Sequence, residues 1–76
     1  MYMDDEVRLR HMRDSAREAL GFAAGRTRAD LDEDRMLVLS LVKAIEIVGE
    51  AAFQVSPEGR TNCPSVPWED IIGMRH

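Results

Sequence analysis

Apolar positions in the first third of the chain recur at three- and four-residue steps: Leu9, Met12, Ala16, Ala19, Leu20 and Ala23. That spacing lines one side of an α-helix and predicts helix 1 over about residues 4–24. Asp4, Asp5 and Glu6 crowd its first turn, where the helix dipole favours negative charge, and Gly25 supplies a C-terminal stop. The segment GRTRADLDED follows as a polar turn, and helix 2 is predicted over about residues 32–55. Ser56-Pro57-Glu58 has the chemistry of a cap, a first helical residue and an acidic early position, enough for one turn that Gly59 then breaks. After a loop with two prolines, helix 3 is predicted from Pro67 to residue 76, with Trp68, Ile71 and Ile72 on one face and Gly73 permitting close approach. There are no internal repeats and no strand-like alternation, so the fold class is all-α, an antiparallel helical bundle.

Helix 2 has too much apolar surface for one neighbour. Its polar positions, Ser40, Lys43, Glu46, Glu50 and Gln54, fall on a narrow line, while nearly everything else from Met36 to Val55 is apolar. A stripe of about 100° covers one packing layer, and this arc is wider. Helix 1 offers mostly alanines in return. The economical expectation is a symmetric homodimer packed through Leu41, Ile45, Val48, Gly49 and Ala52, with Gly49 allowing another backbone to come close.

Size and charge narrow the alternatives. Seventy-six residues form one domain at most, and a chain this short buries only about 60% of the surface it exposes when unfolded. One cysteine, Cys63, cannot close an internal disulfide, which leaves helix packing and association as the sources of stability. No basic region precedes an apolar run at the N-terminus and no apolar stretch is long enough to span a bilayer, so a cytoplasmic location is expected, with no membrane partner. Ten basic residues against 14 acidic ones, a net charge of −4, argue against indiscriminate nucleic-acid binding but leave room for a local site. The basic set is nine arginines and Lys43, which we read as coding bias. Arg10, Arg13 and Arg17, interleaved with Glu6, Asp14 and Glu18, form either a solvated face or a phosphate-binding rim.

Most catalytic chemistry lacks its residues. His11, Cys63 and His76 have no metal-ligand spacing, the Asp30, Asp32, Glu33 and Asp34 run suits helix capping better than a cation loop, and no glycine-rich phosphate cradle occurs. No metal or cofactor is therefore expected. Cys63 stands beside Pro64 with no identifiable base, and His11 sits among arginines in mid-helix. What remains is the pair Arg75-His76, beside a glycine.

The order of features resembles a known family. A first helix opening DDEVRLRHM, a second carrying AIEIVGEAA, then VSPEGR and finally VPWEDIIGMR resemble the HepT-like proteins of the HEPN superfamily, small helical toxins encoded beside a minimal nucleotidyltransferase. The resemblance implies a dimerising HEPN-like bundle, of which three helices are present and a fourth is missing. It also implies metal-independent RNA cleavage, in which an arginine holds the scissile phosphate and a histidine moves protons as the 2′-hydroxyl attacks. Arg75 corresponds to the motif arginine and His76 to the polar position after it. The motif histidine, and a tyrosine that the nucleotidyltransferase modifies with AMP in related systems, would follow residue 76. The resemblance thus implies a shortened chain, inactive alone, whose full-length form is the RNA endonuclease of a toxin–antitoxin pair. The alternative is a non-catalytic helical dimer that binds the nucleotidyltransferase as an interaction module.

Overall fold

A computed structural model describes residues 3–75, with side chains from residue 5 onward. Among the described residues the chain is all-helical, with α1 (Met3–Ala23), α2 (Arg28–Glu33), α3 (Arg35–Gln54), α4 (Pro57–Asn62) and α5 (Trp68–Ile72). The long helices α1 and α3 pack side by side and antiparallel, giving a body 42 Å long and about 20 Å across. Gly25 ends α1 as expected: its φ of +72° lies in the left-handed region that only glycine enters cheaply, and the next amide, of Arg26, donates back to the Ala23 carbonyl at 3.0 Å.

Small side chains let the two long helices come together. Leu37, Ala44, Val48, Ala51 and Ala52 are buried on α3, as is Val55, its C-cap, and Leu9, Met12, Ala16 and Ala19 of α1 are half-buried. The wide apolar arc of helix 2 is only partly covered, because Leu39, Val42, Ile45, Ile47 and Phe53 remain exposed.

Three expectations need correction. The segment GRTRADLDED, expected as a turn, contains α2. Thr27 caps this helix by accepting from the Asp30 amide at 3.2 Å, while the Asp30 carboxylate accepts from the Thr27 amide at 2.8 Å. Asp34 then ends α2 and starts α3 one residue later: its amide donates to the Asp30 carbonyl and its carboxylate accepts from the Leu37 amide at 3.0 Å.

Gly59 does not break the turn that Ser56 caps. Helix α4 runs through it to Asn62, and Gly59 is buried because a Cβ there would lie 2.6 Å from Asp5 Oδ2 and 2.8 Å from Val55 Cγ1. The glycine makes room for a carboxylate. Asp5, on the first turns of α1, is only 2% exposed and accepts from both the Ser56 amide, at 2.8 Å, and the Ser56 hydroxyl, at 2.5 Å. The same hydroxyl oxygen accepts from the Gly59 amide at 3.1 Å, so one carboxylate pins the start of α1 to the α3–α4 corner. These hydrogen bonds hold the Asp5 carboxyl below the usual carboxylate range, with burial opposing them.

The last helix is shorter than predicted. Pro67 is the N-cap of α5 rather than its first residue, and the helix stops at Ile72, with Gly73 as the C-cap. Gly73 meets nothing nearer than its own helix carbonyls at 3.4 Å, so the close approach lies elsewhere, at Gly49. Trp68 ties α5 to the chain before it, since its Nε1–H donates to the Cys63 carbonyl at 3.0 Å and to the Arg60 carbonyl at 3.2 Å.

Candidate functional site

Arg75 follows α5 after one turn, and its position is decided by its neighbours on α3. A Cβ on Gly49 would stand 2.7 Å from the Arg75 amide nitrogen and 2.9 Å from the Ile71 carbonyl oxygen, so α5 packs where any larger residue would block it. From that seat the Arg75 guanidinium lies over the Phe53 ring, 3.7 Å from its centroid. One of its nitrogens, Nη1, is 3.7 Å from Glu50 Oε2.

The relative strengths of these contacts matter. An exposed ion pair at that separation contributes about 0–1 kcal/mol, and a cation over an exposed ring about 0.5–1 kcal/mol. Backbone docking at Gly49 therefore positions Arg75, with Phe53 and Glu50 orienting the side chain. A guanidinium carries five N–H donors, and Glu50 approaches only one edge. The rest opens onto a groove of about 270 Å³ lined by Lys43, Glu46, Ile47, Glu50 and Arg75.

This is the chemistry of an oxyanion holder. Arg75 is a permanent cation with a planar fork suited to two phosphate oxygens, and Lys43 adds a second positive charge at the same groove. Glu46 and Glu50 temper the field. No cluster of three or more potential metal ligands occurs among the described residues.

Other expected site residues fall in different places. His76 lies outside the described residues. Val48, Gly49 and Ala52, expected at a dimer interface, are buried within the single chain, Gly49 because α5 uses it; Leu41 is half-buried and Ile45 exposed. Those two line an apolar groove of about 410 Å³ with Ala16, Ala19, Leu20, Ala23, Val48 and Met74. Arg10 and Arg13 pair with Glu6 and Asp14 on the exposed side of α1, as a solvated face would. Cys63 is the C-cap of α4. Glu50 and Phe53 were not singled out from the sequence. Their only signal was position, one and four residues after Gly49, on a helix face that no local pattern connects to Arg75.

Comparison with known proteins gives a family for the chain. The sequence profile described as "Ribonuclease HepT-like" matches residues 12–76. The protein named "Putative RNase MJ1380", from Methanocaldococcus jannaschii, is 27% identical over 63 residues, covering 83% of this chain and 58% of that relative. "Putative RNase TTE0752", from Caldanaerobacter subterraneus subsp. tengcongensis, is 39% identical over 46 residues, covering 60% of this chain and 41% of the relative. The chain thus spans about half the length of these relatives. No solved structure matches it. No helix among the described residues is long and apolar enough to cross a membrane. With a matching profile over most of its length and an all-helical fold, the chain belongs to the HepT-like ribonuclease family.

Proposed function

We propose that this chain carries the phosphate-holding half of a metal-independent RNA endonuclease site, with Arg75 as the group that grips the scissile phosphate. The observation that supports this reading best is the open, oriented guanidinium, docked by its backbone at Gly49, laid on Phe53 and free along most of its donor edge. In such a site the arginine would neutralise charge building on the phosphoryl oxygens as the 2′-hydroxyl attacks. A proton-transfer group is also required. In our reading it is a histidine further along the longer protein, so that cleavage belongs to the full-length form, a toxin restrained by a minimal nucleotidyltransferase.

Self-association fits the same picture. Leu41 and Ile45, together with the apolar groove they line, suit a second copy of the chain. Sedimentation at micromolar concentration is expected to give a dimer, and a stable, well-folded monomer would rule it out.

Cleavage in the presence of a chelator tests the functional reading. Single-stranded RNA incubated with the 76-residue chain should be bound but left uncut. Metal-independent cleavage that disappears in Arg75→Ala would place the whole site within these residues and overturn the division proposed here. The alternative, a non-catalytic interaction module, predicts capture of the nucleotidyltransferase with no contribution of Arg75 to RNA binding.

A further inference from the structure

The face of α3 that looks outward between α5 and α1 carries a second groove beside the first. It holds about 180 Å³ and is lined by Arg8 and His11 of α1 and by Ile47, Glu50, Ala51 and Gln54 of α3. Ile47 and Glu50 line both grooves, so the two adjoin on α3, with Arg75 on one bank and Arg8 and His11 on the other. We propose that these adjoining grooves are a track for the backbone of single-stranded RNA, in which Arg8 and His11 form a second phosphate-binding position beyond Arg75. The proposal rests on the reading that Arg75 holds an RNA phosphate.

Three observations carry it. Arg8 and His11, three residues apart on α1, are neighbours on one helix face, and neither has an ion-pair partner among the described residues. Both therefore keep their donors for a ligand. The carboxylate between the two banks is engaged on both sides: Glu50 Oε1 accepts from Gln54 Nε2 at 3.2 Å, and Oε2 faces Arg75. A strand crossing there meets a carboxylate whose charge is already shared, and the floor beside it is Ile47, 39% exposed, an apolar surface on which a base or ribose can rest. Lys43 extends the positive bank on the Arg75 side. The two grooves thus bring four potential phosphate donors, Arg8, His11, Lys43 and Arg75, to one face, beside the carboxylates of Glu46 and Glu50.

The test is a titration of the 76-residue chain with a fully 2′-O-methylated single-stranded oligouridylate, which cannot be cut, across a salt series. One phosphate contact to a single strand contributes about 0.7 to the slope of log affinity against log salt, or about fivefold at 0.1 M salt. Arg8→Gln is expected to show both losses. His11→Gln should weaken binding about threefold, the worth of one hydrogen bond. Arg28→Gln, at an exposed arginine on α2 that lines neither groove, should change neither, and circular dichroism should be unaltered throughout. If Arg75→Gln weakens binding while Arg8→Gln and His11→Gln leave affinity and slope untouched, the second position is refuted and the Arg75 reading stands. Equal losses in Arg8→Gln and Arg28→Gln would mean diffuse attraction and would also refute the track. If no RNA binds, or if Arg75→Gln has no effect, both readings fall together.

Discussion

The amide nitrogen of Arg75 sits 2.7 Å from the point that a Cβ on Gly49 would occupy. A backbone atom cannot move aside as a side-chain tip can, so Gly49→Ala should push α5 away from α3. Overpacking costs about 1–3 kcal/mol, more than the roughly 0.5–1 kcal/mol that alanine gains over glycine inside a helix. Net destabilisation in urea is expected, with a change in the emission of Trp68, which opens α5. Gly21→Ala is the contrast, because nothing lies within 4 Å of its added carbon. There the helical gain stands alone and stability should rise by up to about 1 kcal/mol.

Asp5 makes stability depend on acidity in a defined direction. Its carboxyl is lowered from a reference of 3.8 by the two Ser56 hydrogen bonds, so its stabilising contribution is complete above the unfolded value and is lost as pH falls through the lower folded one. The melting temperature of the natural chain should therefore fall below about pH 4. Asp5→Asn should melt lower at neutral pH and show a shallower acid limb. Parallel curves for the two proteins would mean that Asp5 does not hold the corner.

Trp68 uses its polar edge as well as its ring. Trp68→Phe keeps most of the apolar contact but removes the donor to the Cys63 and Arg60 carbonyls. A loss of about 0.5–1.5 kcal/mol is expected by denaturant titration. The loosened α5 should also bring weaker RNA binding, since Arg75 follows it after one turn.

The parts of this structure that were legible in the sequence are those whose cause is local. The stripe from Leu9 to Ala23 and the apolar run from Met36 to Val55 repeat at helical period, and they are α1 and α3. The capping box of α2 was local too, but Asp30 stands where glutamate is usual and the helix it opens has only 6 residues, most of them polar. Gly59 misled for another reason. Its intrinsic preference is against a helix interior, whereas its place in α4 is decided by Asp5, more than fifty positions away.

The candidate site divides in the same way. Arg75 was identified from its motif, in sequence order alone. Its seat on Gly49, Phe53 and Glu50 joins the chain end to mid-α3, a relation that no periodicity encodes. Gly49 carried a signal, as a costly residue inside a strong helix, and the inference of a close backbone was sound. The backbone that approaches is the chain's own α5.

Whether Arg75 contacts an RNA phosphate can be observed at the guanidinium itself. In a titration of the isotopically labelled chain with the 2′-O-methylated oligouridylate, the Arg75 side-chain Nε–H resonance should shift saturably, and Arg75→Lys should weaken binding because a point charge replaces the planar fork. An Arg75 resonance that stays fixed while the RNA binds, with unchanged affinity in Arg75→Lys, would contradict the account.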